Sequence, residues 1–224
     1  MNSRRRIYLM RHAAVRYFEG LPPEEVQLTV EGRRQAEAAR DALRGLRFDR
    51  VLTSGLPRTL ATAEIVAPTV EHEVHRALRE IESGEIRGLA PEEVQAMMTT
   101  AFRGVVPLDA RFLGGESIAS LLDRVLPEVD ALLADTSWDI VLLVLHGGVN
   151  RAILSRAITG ERAFLGGFEQ TPGCINVLDV DADGAFVVRG VNYTAYDPVH
   201  AYAPRLTTME QLWGDYLDAR SRVP

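Results

Sequence analysis

Two histidines stand directly behind short apolar runs: Ile7–Met10 leads into Arg11-His12, and Ile140–Leu145 leads into His146-Gly147-Gly148. Aliphatic runs without polar alternation are read as strands buried on both faces of a parallel sheet. At the carboxyl ends of neighbouring strands in an open α/β sheet, side chains face one crevice, and the helices that follow aim backbone N–H groups into it. Such a crevice binds anions. A histidine there can serve as nucleophile, acid or clamp, and an arginine offers a planar fork that matches two phosphate oxygens at once. Arg58 is a third candidate, one residue into a helix opened by Pro57, where helix N–H groups and dipole add to its charge.

The remaining pattern predicts the elements that position these residues. Glu31–Leu43 reads as a helix with Thr29 as cap, Arg50–Thr53 as a strand, Pro57–Val66 and Pro91–Phe102 as helices opened by proline. Ser117–Leu133 is amphipathic, with Leu121, Leu122, Val125, Val129 and Leu132 at helical spacing, and Val149–Ile158 is the helix after the second buried strand. Ile175–Val180 and Ala185–Val191 form a hairpin, and Thr207 to Glu210 fits a capping box for a terminal helix. Helices alternating with strands predict an α/β fold, a three-layer sandwich whose mostly parallel central sheet carries helices on both faces. The 224 residues fit a single domain over 1–224, with 192–224 as a C-terminal extension packing on it. That extension holds Tyr193, Tyr196, Tyr202, Trp213 and Tyr216. Tyr193 to Tyr202 is expected to cover part of the crevice, with Tyr196 in the substrate pocket; a packing strap or a homodimer contact is the other reading.

Composition narrows the function classes. A net charge of -6 disfavours broad binding to nucleic acid or to an anionic membrane, so any anion must be held locally. The 25 basic residues are all arginine, which excludes Schiff-base and P-loop-lysine chemistry. One cysteine, Cys174, allows no disulfide framework or cysteine zinc site, and the basic start at Met1 to Arg6 is followed by an apolar stretch too short for a signal peptide. A cytoplasmic protein without a membrane span, metal or cofactor is expected. Three other motifs fail: Asp179, Asp181 and Asp183 open like a calcium loop but meet Gly190 at its twelfth position; His72 and His75 in a strand point to opposite faces; and the elbow-like Gly115-Glu116-Ser117 lacks a buried strand before it. The last keeps a serine esterase only as a remote alternative, and makes Gly114 to Ser117 a loop and helix cap whose Glu116 grazes the pocket.

The segment Leu9-Met10-Arg11-His12-Ala13 resembles the Arg-His-Gly signature of the histidine phosphatase superfamily, the phosphoglycerate mutase-like family, on its phosphatase branch. Leu28-Thr29-x-Glu31-Gly32, Ser54-Gly55-Leu56-Pro57-Arg58-Thr59, Leu78-Arg79-Glu80-Ile81-Glu82 and Leu145-His146-Gly147-Gly148-Val149 are similar to its later motifs, in order, over roughly residues 7 to 180. The resemblance implies that His12 attacks phosphorus and carries a transient phosphoryl group, while Arg11, Arg58, His146 and Gly147 bind its oxygens. It maps the general acid onto Glu80; Glu82, two residues on, would share a face with it in an extended segment, so spacing leaves both open.

Departures from the family pattern bear on the substrate. Ala13 stands where glycine is usual, Ala14 where an acidic or amide residue is, and Phe18 where an asparagine is; Ile86 and Arg87 replace aromatic and acidic residues before Gly88. Arg16 could supply the charge that Phe18 does not. The reading is a metal-independent phosphomonoester hydrolase acting on a small phosphorylated metabolite. Alternatives are a phosphoglycerate mutase, which the short interval of 66 residues from Glu80 to His146 disfavours, and a non-catalytic relative that binds a phosphorylated ligand.

Overall fold

The computed structural model describes residues 4–222; both ends of the expected single domain, including the last two residues of its extension, lie outside them. β1 (Arg5–Arg11), β2 (Arg50–Thr53), β3 (His72–Val74), β4 (Ile140–Leu145), β5 (Ile175–Val180) and β6 (Phe186–Tyr193) form one sheet in the order β3-β2-β4-β1-β5-β6. β3, β2, β4 and β1 run parallel, while β5 is antiparallel to β1 and β6 to β5. The helices are α1 (Val30–Ala42), α2 (Pro57–Val66), α3 (Pro91–Thr100), α4 (Ile118–Ala134), α5 (Gly147–Thr159) and α6 (Thr208–Ser221).

Alternation along β1 builds two cores, because successive strand side chains point to opposite faces. Ile7 and Leu9 pack with Leu121, Leu122, Val125 and Ile153 of α4 and α5. Tyr8 and Met10 pack with Ala36, Ala39, Ala63 and Val66 of α1 and α2. The three-layer α/β sandwich is therefore present, with helices on both faces of a mostly parallel sheet. A third cluster joins α3 to α6: Val94, Met98, Leu113 and Met209 are buried, with Phe18, Ile86, Leu212, Trp213 and Tyr216 packed around them.

Local chemistry sets the helix ends. Thr29 caps α1 by accepting from the Gly32 N–H at 2.9 Å, Ser117 caps α4 through Ser120, and Thr207 and Glu210 form a reciprocal capping box on α6. Gly32 also lets α1 approach the loop after β1, since a Cβ there would lie 2.2 Å from the Ala14 carbonyl oxygen. α5 begins at Gly147, two residues earlier than the pattern predicts, since two glycines that weaken a helix interior are tolerated in its first turn. α3 ends at Thr100, two residues early, and Phe102 instead stacks on Phe112 with ring centroids 5.3 Å apart. The aspartate-rich turn is a hairpin turn: Asp181 accepts from the N–H groups of Asp183 and Ala185, and Asp179 pairs with Arg6 and Arg189.

Candidate active site

Strand register brings the two histidines together. Arg11 of β1 pairs with Leu145 of β4, so the next residue of each strand, His12 and His146, emerges at the same point, with ring centroids 5.3 Å apart and nearly edge to face. Both are buried. The His12 Nδ1 lies 2.8 Å from the Ala13 carbonyl, which can only accept, so Nδ1 carries the proton and Nε2 keeps its lone pair in the neutral ring. Nε2 has no partner among the described residues. Burial first, then the charges of Arg58 and Arg11, hold His12 well below the usual histidine range, against the opposing pull of the Ala13 carbonyl.

His146 is neutral for the same reasons: burial first, then Arg58, His12 and Arg11. Its Nε2 lies 2.7 Å from the Ser54 hydroxyl, which lies 3.0 Å from that of Thr59; Thr59 in turn donates to the Leu56 carbonyl at 2.8 Å. With Thr59 so engaged, Ser54 donates to Thr59 and accepts from His146 Nε2. If the Ser54 hydroxyl rotates to donate to Nε2, the imidazole proton moves to Nδ1, a buried atom with no partner among the described residues.

Two guanidiniums flank the histidines, and neither is paired with a carboxylate among the described residues. Arg11 donates to the Gln170 carbonyl at 2.5 Å and Arg58 to the Pro23 carbonyl at 2.6 Å, which anchors one nitrogen of each, while both Nε atoms are buried without partners. Gln170 is itself held by Asn150 and Asn176. Arg58 also lies 5.8 Å over the Tyr17 ring, whose phenol burial pushes upward in pKa.

Glu80 comes from the segment after β3. Its carboxylate accepts from the Gly148 N–H at 3.0 Å, at the start of α5, and from the Ile81 N–H at 3.0 Å. Arg124 of α4 holds the backbone of this segment, donating to the carbonyls of Ala77, Arg79 and Glu80 while gripping Glu116 with two bonds of 2.8 Å. Two adjoining clefts meet here. One, of about 570 Å³, is lined by Arg58, Glu80, Gly147 and Gly148; the other, of about 390 Å³, by His12, Gln35 and Tyr196. Arg11, Tyr17, Thr208 and Leu212 line both, so α6 forms part of their wall. Among the described residues no three His, Cys, Asp or Glu side chains cluster closely enough to hold a metal ion, and no helix is long and apolar enough to cross a membrane.

The sequence profile of the histidine phosphatase superfamily (branch 1) matches residues 7–194. The chain belongs to this superfamily. A probable phosphoglycerate mutase of Salmonella paratyphi A is 29% identical over 92% of this chain and 99% of its own length. A probable 2-carboxy-D-arabinitol-1-phosphatase of Arabidopsis thaliana is 33% identical over 68% of this chain, which spans 32% of that longer protein. In solved structures, the fold is shared with a mycobacterial glucosyl-3-phosphoglycerate phosphatase at 24% identity and a TM-score of 0.69, covering 85% of this chain and 99% of that one.

Within this histidine phosphatase fold, the expected residues divide. Arg11, His12, Arg58, Glu80 and Gly147 line the clefts, His146 is buried behind them against the His12 ring, and Glu82 stands exposed at the rim. Arg16 turns to solvent and pairs with Glu19. Phe18, at a φ of 66°, packs its ring edge-on against Tyr216 of α6 and lines neither cleft, while its neighbour Tyr17 lines both. Glu116 does not face a cleft either: its carboxylate accepts from Arg124 and the Glu82 N–H and braces the acid segment. The buried Ala13 has ordinary backbone angles, so its methyl group is accommodated where the family has glycine.

Tyr196 and Tyr202 both line the smaller cleft; Tyr196 donates to the Pro172 carbonyl at 2.7 Å, while Tyr202 is 91% exposed, so not every aromatic in the extension leaves water. Sequence reasoning passed over Ser54, Tyr17, Arg79 and Arg124. Ser54 and Arg79 stand inside the motifs that carry Arg58 and Glu80; Tyr17 and Arg124 had only a nearby charge or ring, with nothing local to aim them.

Proposed function

We propose that this chain is a metal-independent phosphomonoester hydrolase that acts on a small phosphorylated metabolite through a phosphohistidine on His12. The observation that carries this reading is the neutral His12 ring, whose Nδ1 is tied to Ala13 and whose free Nε2 lies beside the charges of Arg58 and Arg11, neither of them paired with a carboxylate among the described residues. Nε2 attacks phosphorus, the P–O bond to the alcohol breaks, and Glu80 gives its proton to the departing oxygen. A water then loses a proton to Glu80 and attacks the same phosphorus, breaking the P–N bond and releasing phosphate. Arg11, Arg58 and His146 hold the three equatorial oxygens, His146 through Nδ1–H in the tautomer in which Ser54 donates to Nε2, and the two fixed guanidiniums supply charge stabilisation that a metal gives elsewhere. Glu80 is preferred over Glu82 because its carboxylate is bound at the start of α5, immediately after His146, while Glu82 is exposed.

The likeness to a probable phosphoglycerate mutase supports a second reading, in which the phosphoryl group passes from His12 to another alcohol. Water decides between them. A panel of phosphorylated sugars, glycerates, nucleotides and aryl phosphates, assayed with EDTA present, should release inorganic phosphate, and rapid quench should trap an acid-labile phosphoenzyme that His12→Ala abolishes. Isomerised phosphate esters without released phosphate would select the mutase. A strict requirement for added metal, or a phosphoenzyme on the variant lacking His12, would overturn both.

A further inference from the structure

Arg79, the residue before Glu80, lines the larger cleft beside Arg11 and Arg58. Its side chain makes no hydrogen bond or ion pair among the described residues, and its Nε is fully buried without an acceptor. A half-buried guanidinium in that state lacks what arginine ordinarily finds inside a protein: an anion or a carbonyl on its fork. The other cations of this cleft are accounted for. Arg11 and Arg58 are each anchored to a carbonyl beside His12, and Arg151 is held by the Gly147 and Gly166 carbonyls and lies 3.9 Å from Glu169. Nearby carboxylates do not serve Arg79: Glu80 is taken by two backbone N–H groups, and Glu82 is not within ion-pair distance.

The backbone around Arg79 is fixed, so this is not a loose surface side chain. The Arg79 carbonyl accepts from Arg124 at 2.7 Å, and the Glu80 carbonyl accepts from the same guanidinium. The cleft that Glu80 lines therefore presents a further cation on a held backbone, besides Arg11 and Arg58.

We infer that Arg79 is a specificity-determining residue that binds a carboxylate on the leaving alcohol, so that the substrate is a phosphomonoester of a hydroxy acid. One unpaired guanidinium balances one negative charge, and its fork matches the two oxygens of a carboxylate. Glu24, Glu80 and Glu82 on the same cleft disfavour a second dianionic phosphate there. The inference deepens the proposed hydrolase function and rests on the same cleft.

The test compares matched pairs that differ only in carboxylate against CH₂OH: phosphoglycolate with 2-hydroxyethyl phosphate, 3-phosphoglycerate with glycerol 3-phosphate, and 4-phosphoerythronate with erythritol 4-phosphate. Both kcat/KM and calorimetric Kd are measured for wild type, Arg79→Leu and Arg79→Lys. In at least one pair wild type should prefer the acid, and Arg79→Leu should reduce that acid-to-alcohol ratio about 10- to 100-fold, as expected for a lost charged hydrogen bond, with Arg79→Lys in between. Wild type without preference for any acid, or an Arg79→Leu variant that loses acid and alcohol equally, would overturn the inference. If wild type hydrolyses nothing but the ratio of Kd values still collapses in Arg79→Leu, the hydrolase reading falls and the carboxylate site stands. If wild type hydrolyses the esters but the ratio does not move in Arg79→Leu, the carboxylate site falls and the hydrolase reading stands.

Discussion

The Glu80 carboxylate rests on the backbone N–H of Gly148 at 3.0 Å, and only glycine permits that approach. A Cβ at position 148 would stand 2.7 Å from Glu80 Oε1 and 3.1 Å from Ile81 Cγ2. The helix N-terminus that follows His146 thus locates the proposed acid, since its free N–H groups point at acceptor oxygens in front of it.

Gly148→Ala should displace Glu80 while leaving the fold intact. General acid catalysis contributes about 10²–10⁴-fold, so kcat/KM for alkyl phosphates should fall toward that range. Aryl phosphates, whose phenolate leaves with little protonation, should lose far less. Steady-state kinetics over a leaving-group series checks this, and an equal loss across the series would dissociate Glu80 from proton delivery.

Ser54→Ala should leave His146 Nε2 buried without its partner at 2.7 Å. An orphaned buried polar atom costs about 1–3 kcal/mol, and because Ser54 also fixes which ring nitrogen carries the proton, kcat should fall by roughly tenfold or more. Ser54→Thr, which keeps a hydroxyl, should retain more activity than Ser54→Ala. Indistinguishable kinetics for the two variants would show that the hydroxyl has no part in orienting His146.

Acid should destabilise the fold through the two histidines. Both are held well below the ordinary value of 6.5 by burial first and then by neighbouring charge, so below that pH the unfolded chain takes up protons that the folded chain refuses. Above 6.5 both states are neutral and the contribution to stability is complete; it is lost as pH falls from 6.5 toward the folded-state values. Urea unfolding from about pH 8 to about pH 5 should show this decline, and His146→Gln should flatten it. A decline of equal slope in the variant would place its origin in other groups.

Arg124→Met should both destabilise the chain and disorder the acid segment. The substitution leaves three carbonyls and the Glu116 carboxylate without their donor, a loss of about 2–4 kcal/mol. Glu116→Gln, which keeps one acceptor for Arg124 and loses the charge, should cost less. Denaturant midpoints rank the two, and a Glu116→Gln variant with normal stability but altered substrate preference would return Glu116 to the pocket.

How far the sequence reaches is visible in where its readings hold. Signals carried by adjacent residues survive folding: the apolar runs of β1 and β4, the bounds of β2 and α2, and the caps at Thr29, Ser117 and Thr207 all follow from side-chain periodicity or from a hydroxyl within three residues of the N–H it accepts. Arg11, His12 and His146 were legible for a related reason, because strand ends in a parallel sheet converge whatever the details of their loops. The side chains of loops obey no such rule. Glu80 and Glu82 are equivalent by spacing, and only the docking of their segment on α5, braced by Arg124 from α4, sets Glu80 against Gly148. Phe18, Arg16 and Glu116 lie near the cleft in sequence and turn away from it in space, toward Tyr216, Glu19 and Arg124. The family membership and the cations of the proposed phosphate site were thus written in local pattern, whereas the placement of the proposed acid and the unpaired Arg79 depend on which distant carbonyls, carboxylates and N–H groups packing brings within about 3 Å, a short-range condition that sequence spacing does not encode.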